Sequence, residues 1–313
     1  MSPVTPLQRY IAEEIATDHV DGLLSRREAL RRLALLGVGT AAATALITAC
    51  GENRQQAQAN ATPSDAPPTD TPPSTPTDAP PPGMAGALPT EPVTWAGPAG
   101  ELQGAWAPAD GSRGGVLVIH ENKGLNDWVR SVAGRLAGAG YSSLAVDLLS
   151  DRGGTATFAD PAEATAALGA RAPEAMVADL KSGIAELQRR TPGQKSAAIG
   201  FCMGGGLVWR LLAAGTPELA AALPFYGPTP DDPDFAGSRD VAVLGFYGER
   251  DQRVNATEPV AEAALAKAGL VHELVTEPGA DHAFFNDTGD RYDPAAAADA
   301  WSRTLNWLAT HVG

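Results

Sequence analysis

Cysteine is nearly absent from this sequence, with only Cys50 and Cys202 among 313 residues. Small secreted domains that depend on disulfides need several cysteine pairs, so that class of protein is excluded. Cys50 ends an apolar run, whereas Cys202 lies between glycines. We therefore expect the two cysteines not to pair and each to have its own chemistry.

Basic residues are also scarce. The sequence contains 23 Lys and Arg residues and 37 Asp and Glu residues, which gives a formal net charge of −14. Such a surface repels the phosphates of nucleic acid, and there is no basic run outside the N-terminus. The composition therefore argues against a nucleic-acid partner.

The first fifty residues carry features of an export signal. The stretch Ser25-Arg26-Arg27-Glu28-Ala29-Leu30-Arg31 precedes a Gly/Ala-rich apolar run over residues 33–49 and resembles a twin-arginine signal, although Arg31-Arg32 forms a second arginine pair. Ile47-Thr48-Ala49-Cys50 resembles a bacterial lipobox, whose cysteine receives a diacylglyceryl group. The alternative is a short transmembrane helix over 33–49.

Both interpretations tie the protein to a membrane. The resemblance implies an exported, membrane-anchored lipoprotein of a bacterial cell envelope, with the lipid on Cys50. Residues 51–88 are rich in Pro, Thr and Ala and have too few large apolar side chains to form a core, which predicts a disordered linker. The predicted organisation is a signal over 1–50, a linker over 51–88 and one folded domain over 89–313.

Strand and helix patterns alternate from residue 89 onward. Short apolar runs predict a lead-in hairpin at 93–95 and 103–106 and strands over 116–120, 143–147, 196–199, 222–226, 241–246 and 272–276. Helical spacing predicts helices over 129–139, 176–187, 207–212, 259–268 and a last helix around Trp301. Continuously apolar strands separated by helices indicate an α/β fold with a mostly parallel sheet covered on both faces. In such folds the functional residues lie beyond the carboxyl ends of the strands.

The pentapeptide Gly200-Phe201-Cys202-Met203-Gly204 lies between a predicted strand and a predicted helix. This context is typical of a nucleophile elbow, in which glycines allow a sharp turn to carry the nucleophile. The N-terminus of the following helix favours the Cys202 thiolate. The alternative is a small buried cysteine in a glycine-rich loop.

A nucleophilic cysteine needs a base and a group that orients the base. His282 follows one predicted strand and Asp251 another, and the chain order Cys202, Asp251, His282 is that of α/β-hydrolases. Glu249 is the second candidate for the orienting group. Asp281 is a poor candidate because it is adjacent to His282. The oxyanion of an acyl transfer would lie against the N–H of Met203 and one N–H of the loop Glu121-Asn122-Lys123.

Four stretches now occur in one order, namely His120-Glu121-Asn122-Lys123-Gly124-Leu125-Asn126, Gly200-Phe201-Cys202-Met203-Gly204-Gly205, Gly248-Glu249-Arg250-Asp251 and Pro278-Gly279-Ala280-Asp281-His282-Ala283-Phe284. With these motifs the domain over 90–313 resembles the dienelactone hydrolase (carboxymethylenebutenolidase) family of α/β-hydrolases. The resemblance implies that Glu121 contacts the resting thiol and that Arg152 holds a substrate carboxylate. The family's second arginine, four residues after the histidine, is replaced here by Asn286.

These observations predict a cysteine-dependent hydrolase of small esters or lactones that needs no metal or organic cofactor. Without the second arginine we expect neutral esters to be preferred over dienelactone, with Tyr226 and Phe284 near an aryl or alkyl group. One alternative is a general short-chain carboxylesterase. Another is a lipoprotein whose hydrolase fold serves only for binding. The sequence leaves the natural substrate and the oligomeric state open.

Overall fold

The computed structural model describes residues 5–60 and 80–313, with only the backbone for residues 53–60. The described chain forms two compact units, one of residues 5–60 with 165–170 and one of residues 80–164 with 171–313. Of the predicted linker, residues 61–79 lie outside the described residues, and residues 51–60 belong to a helix. Over residues 61–79 the disordered linker stays a prediction, whereas residues 51–60 are helical and residues 80–88 include a short 3-10 helix, Met84–Gly86.

The first unit contains helices α1 (Pro6–Val20), α2 (Arg26–Leu35) and α3 (Thr40–Asn60). The apolar run over 33–49 does not form one helix, because α2 ends and Gly37 adopts a left-handed φ of 81° before α3 begins. Among the described residues, we find no helix that has both the length and the apolar character required to cross a membrane.

The N-terminus of α2 carries the predicted twin-arginine motif. The Ser25 side chain accepts a hydrogen bond from the N–H of Glu28 and caps the helix. The Glu28 carboxylate contacts Arg31 and Arg32, each at 2.7 Å, and these hydrogen bonds lower the pKa of Glu28 to about 2. The charges of the second arginine pair are thus partly balanced within the helix.

The second unit contains the sheet. Its strands are β1 (Glu91–Ala96), β2 (Glu101–Ala107), β3 (Gly115–Ile119), β4 (Ser142–Asp147), β5 (Ser196–Phe201), β6 (Leu219–Phe225), β7 (Ala242–Gly248) and β8 (His272–Glu277). The helices that follow α3 are α4 (Asp127–Gly138), α5 (Pro161–Gly169), α6 (Pro173–Arg190), α7 (Met203–Ala213), α8 (Gln252–Asn255), α9 (Glu258–Ala268) and α10 (Pro294–His311).

The strand order is β1-β2-β4-β3-β5-β6-β7-β8. β1, β2 and β4 pair antiparallel, which confirms the predicted lead-in hairpin, and every pair from β4 to β8 is parallel. The predicted mostly parallel sheet is therefore confirmed.

Helices cover both faces of this sheet. A Cβ added to Gly114 would meet Val312, just after α10, whereas one added to Gly115 would meet Leu187 of α6. Successive residues of an extended chain point to opposite faces, so α6 and α10 lie on opposite faces. The predicted apolar stripe of α6 is fully buried, at Met176, Leu180, Ile184 and Leu187.

The strand bounds differ from the predicted ones by three residues at most, and two of the differences move residues out of the sheet. β3 ends at Ile119 and β6 at Phe225, one residue earlier than predicted. His120 and Tyr226 therefore lie in the loops beyond the strands. Because β3 to β8 are parallel, the loops after them all open at the same edge of the sheet.

Candidate active site

Cys202 lies in a sharp turn between β5 and α7. Its φ of 55° and ψ of −116° belong to a region that side-chain-bearing residues rarely adopt. The Cys202 N–H donates to the Phe225 carbonyl at 3.0 Å, and the Gly206 N–H donates to the Cys202 carbonyl at 3.0 Å. The turn is thus fixed from β6 and from the first turn of α7.

Glycine is needed on both sides of Cys202 because the backbone approaches so closely. A Cβ added to Gly200 would lie 2.2 Å from the carbonyl oxygen of Gly204, and one added to Gly204 would lie 2.4 Å from that of Ile119. No real Cβ tolerates such distances. The G-x-C-x-G spacing is therefore a steric requirement of this turn.

The N-terminus of α7 gives the sulfur an electropositive environment. Met203 is the first residue of the helix and is buried, and first-turn N–H groups have no acceptor within their own helix. The partial positive charge of these groups stabilises a thiolate. Cys202 itself is 1% exposed, so solvent contributes little to its stabilisation.

His282 and Asp251 are joined by a short hydrogen bond between His282 Nδ1 and Asp251 Oδ2, at 2.5 Å. Both residues are buried. Burial alone raises the pKa of Asp251, but the charge and hydrogen bond of His282, together with Arg253 and the Val254 N–H, outweigh it and hold that pKa below its ordinary value. The carboxylate can therefore orient the imidazole and balance its charge.

A ring nitrogen of His282 lies within 4.8 Å of Cys202 Sγ. Asp251, His282 and Cys202 come from the loops after β7 and β8 and from the turn after β5. The structure thus brings together the three residues that the sequence analysis proposed as a triad. Within residues 80–164 and 171–313, no three His, Cys, Asp or Glu side chains lie close enough together to share a metal ion.

Glu249, the second candidate for the orienting group, and Asp281, the poor candidate, have other contacts. Glu249 Oε2 accepts the N–H of Gly279 at 2.6 Å, and Asp281 Oδ1 accepts the N–H of His282 at 2.7 Å. Both carboxylates hold the backbone of the histidine loop. At Ala283, directly after the histidine, the φ of 61° shows where this loop turns back.

Glu121 and Asn286 form a buried pair. Asn286 Nδ2 donates to Glu121 Oε2 at 2.9 Å, and Asn286 Oδ1 accepts the N–H of Thr288 at 3.0 Å. Only 6% of each residue is exposed. The residue that replaces the family's second arginine therefore bonds to a protein carboxylate.

The other predicted site residues differ in how far they are buried. Tyr226 is fully buried, with its ring 5.2 Å from that of His282 and 5.4 Å from that of Phe284, which is also buried. Arg152 follows β4, has a side chain that is 58% exposed, and lies 3.5 Å from Asp151. Asn122, in the loop after β3, is 8% exposed.

Two buried polar residues beside this site, His120 and Asp147, were not predicted to have a role. His120 contacts the backbone at Glu121 and Leu148. Asp147 accepts hydrogen bonds from the N–H and the hydroxyl of Thr155, each at 2.7 Å, and the Thr155 hydroxyl accepts the N–H of Leu125. Their position at the carboxyl ends of β3 and β4 was visible in the sequence, but their backbone partners were not.

Comparisons with known proteins identify the family and the fold. The dienelactone hydrolase family model matches residues 103–312, about two thirds of the chain. The chain belongs to the dienelactone hydrolase family. It is a hydrolase of that family, and the eight-stranded sheet with its helices is the α/β-hydrolase fold, as predicted.

A Salmonella typhimurium protein provisionally named carboxymethylenebutenolidase is 33% identical over 217 residues, covering 66% of this chain and 80% of the relative. A solved structure provisionally named dienelactone hydrolase, from Klebsiella pneumoniae, is 26% identical with a TM-score of 0.60, covering 71% of this chain and 99% of its own. A dienelactone hydrolase-like promiscuous phosphotriesterase from metagenomic libraries is 26% identical with a TM-score of 0.56, covering 73% of this chain and all of its own.

Proposed function

We propose that the protein hydrolyses small carboxylic esters or lactones through a Cys202 acyl-enzyme. The observation that carries this proposal is the strained turn that places Cys202 at the N-terminus of α7, with His282 nearby and bonded to Asp251 at 2.5 Å. A buried structural cysteine needs neither a backbone in this conformation nor an oriented imidazole.

The reaction proceeds in two halves. The Cys202 thiolate attacks the ester carbonyl carbon, and the tetrahedral intermediate expels the alkoxide, which takes a proton from the His282 imidazolium. A water molecule then gives a proton to His282 and attacks the thioester carbon. The acid leaves, and the thiolate and imidazolium are restored. Asp251 stabilises the imidazolium in both halves.

The negative oxygen of each intermediate needs hydrogen-bond donors. We assign the N–H groups of Met203 and Asn122 to this role because Met203 begins α7 and Asn122 lies in the loop after β3. Gly204, in the first turn of α7, packs against the last residue of β3 and His120, which brings helix and loop together. Each rigidly held donor at this position typically raises kcat by a factor of about 10²–10³.

Glu121 and Asn286 bear on the substrate class. We expect Glu121 to contact the resting thiol, and its side chain is held by the neutral amide of Asn286. Position 286 therefore offers no cation to a substrate carboxylate. This supports neutral esters as the preferred substrates, with a general short-chain carboxylesterase as the second candidate.

The test is a panel of neutral aryl esters, alkyl esters and lactones, assayed with the wild type and Cys202→Ala. We expect turnover by the wild type and a loss of about 10⁴–10⁶ in Cys202→Ala, the usual cost of removing a triad nucleophile. Circular dichroism checks that the variant is folded. If a folded Cys202→Ala keeps more than a tenth of the activity, Cys202 is not the nucleophile.

We propose that the N-terminal segment exports the protein and that Cys50 carries a lipid anchor. Arg26 and Arg27 open α2, whereas Arg31 and Arg32 share Glu28. This supports the first pair as the export motif. A domain that needs no disulfide also suits export in the folded state.

A further inference from the structure

His120 is a buried histidine that the reaction above does not use. It directly follows β3 and is 0% exposed. Its Nδ1 lies 2.6 Å from the carbonyl oxygen of Glu121, and its Nε2 lies 3.2 Å from the backbone nitrogen of Leu148. The ring therefore joins the loop after β3 to the loop after β4.

These two partners determine which ring nitrogen carries the hydrogen. A backbone N–H can only donate, so Nε2 accepts from Leu148, and a carbonyl can only accept, so Nδ1–H donates to Glu121. Burial lowers the pKa of His120, and the nearby charge of Asp147 opposes this, while Arg171 adds to the lowering. The neutral Nδ1–H form satisfies both contacts.

The carbonyl of Glu121 shares one peptide unit with the N–H of Asn122. In a trans peptide the C=O and the N–H point in opposite directions, so fixing one fixes the other. Among the described residues, no backbone oxygen accepts a hydrogen bond from the Asn122 N–H. A hydrogen bond on the carbonyl also polarises the unit and strengthens the N–H as a donor.

We infer that His120 is a positioning residue of the oxyanion hole, whose Nδ1–H orients the Glu121–Asn122 peptide so that the Asn122 N–H meets the developing oxyanion. This inference rests on the proposed function because it requires an acyl transfer. His120 touches no reacting atom.

Other contacts hold the path of the loop independently of His120. The Asn126 N–H donates to the Gly124 carbonyl at 3.0 Å, and the Leu125 N–H donates to Thr155 Oγ1 at 2.9 Å. The Gly124 N–H reaches the Glu121 carbonyl only at 3.3 Å, a longer contact than the 2.6 Å of His120. Losing the imidazole should therefore change the orientation of one peptide more than the course of the loop. This makes kinetic tests on His120 variants informative.

The kinetic test compares His120→Leu with His120→Asn in the full chain, on a neutral aryl ester. His120→Leu removes both ring contacts, whereas the Asn amide can place a donor near the position of Nδ1. We expect kcat to fall by about 10- to 100-fold in His120→Leu, less than the range for deleting an oxyanion donor. KM should change little, because the lost contact matters mainly in the transition state. His120→Asn should recover most of the loss, and the control His272→Leu, at the start of β8, should match the wild type.

A spectroscopic readout separates positioning from general damage. With a slowly deacylating ¹³C=O-labelled cinnamoyl ester, the infrared stretch of the acyl carbonyl reports its hydrogen bonds. We expect a higher wavenumber in His120→Leu than in the wild type and a wild-type value in His120→Asn. If His120→Leu does not fold, His120→Gln replaces it, since Gln can reach Leu148 but places no donor at Nδ1.

Wild-type kcat in His120→Leu, equal loss in His120→Leu and His120→Asn, or an unchanged carbonyl stretch would overturn the inference. The proposed function fails by a different result, namely a folded Cys202→Ala variant that still turns over the ester. The two failures are therefore distinguishable.

Discussion

Cys202 combines features that are costly to maintain without a functional reason. Its positive φ costs about 1–3 kcal/mol for a residue with a side chain, and it is buried between glycines that permit no Cβ. The surrounding strand and helix must offset that cost. Strain of this kind occurs mainly at active sites, which agrees with the family membership of the chain.

Asn286 determines how the site responds to the charge of a substrate. A charge-assisted hydrogen bond to a substrate carboxylate is worth about 1.5–3 kcal/mol, or one to two decades of specificity. Without an arginine at 286, we expect a higher kcat/KM for small neutral esters than for dienelactone. Asn286→Arg should move the ratio toward dienelactone, by less than one decade because Glu121 competes for the new charge.

Both substrates should be measured on the wild type, Asn286→Arg and Arg152→Ala. The account of the pocket is wrong if the wild type already prefers dienelactone and Arg152→Ala leaves that preference unchanged. Asn286→Gln is the matched control, since it adds length at this position without adding charge.

Single catalytic residues were predictable where they lie in a short motif that indicates their chemical role. Cys202, His282 and Asp251 each follow an apolar strand within a recognisable short motif, and the parallel sheet brings such positions together. His120 was not predictable as a positioning residue because its partners are the backbone atoms of Glu121 and Leu148. Every residue type offers the same carbonyl group, and every type except proline offers the same N–H, so the sequence does not reveal which backbone atoms a side chain contacts.

At the scale of elements, the close packing of β3 against α7 depends on Gly204. A Cβ there would lie 2.4 Å from the Ile119 carbonyl and 2.7 Å from that of His120, both backbone atoms that cannot move cheaply. We expect Gly204→Ala to destabilise the protein by about 1–3 kcal/mol and to reduce activity strongly. Chemical denaturation and the aryl ester assay measure both effects.

Gly206→Ala is the matched control in the same helix. Its added Cβ would come no closer than 3.3 Å, to the side chain of Pro228, and alanine favours the helix. Equal stability losses in Gly204→Ala and Gly206→Ala would contradict the packing account of the turn.

β8 ends in a buried carboxyl group, Glu277, which is 3% exposed. Burial, followed by the charges of Asp299 and Asp293, raises its pKa to about 7, against the opposing effect of Arg303. Between its ordinary pKa of 4.5 and about 7, the folded state binds more protons than the unfolded state. Stability therefore falls as the pH rises through this window.

We expect Glu277→Gln to remove this fall and to raise the free energy of unfolding at pH 8 by about 1–3 kcal/mol. Urea denaturation between pH 4.5 and 8 measures it, with the half-exposed Glu273→Gln on the same strand as the control. An unchanged pH profile of stability in Glu277→Gln would show that this carboxyl titrates normally.

Strands and helices were predictable in proportion to the regularity of their apolar patterns. The buried runs of β3 to β7 and the stripe of α6 were placed within a few residues. The helix α5 (Pro161–Gly169) was not predicted because its alanine-rich sequence has little apolar periodicity. The helices of the first unit were likewise interpreted only as parts of a signal.

At the scale of the whole molecule, the main prediction concerns Cys50. We expect Cys50→Ser to leave ester hydrolysis intact and to move the protein from the membrane fraction to the soluble fraction. The reason is that lipid chains on Cys50 would supply the binding energy to the membrane. Fractionation of cells that express each form measures this.

Arg26→Lys/Arg27→Lys is the companion variant and should block export, whereas Arg31→Lys/Arg32→Lys should not. Mass spectrometry that finds an unmodified Cys50 within an uncleaved N-terminus would contradict the lipoprotein model.

The most direct test of the central claim is to trap the acyl-enzyme. The wild-type protein is mixed with an activated aryl ester, quenched in acid during the first turnover and digested for peptide mass mapping. We expect the acyl group as a thioester on the peptide that contains Cys202, and no such adduct in Cys202→Ala. An acyl group on another residue, or product formation without any adduct on Cys202, would contradict it.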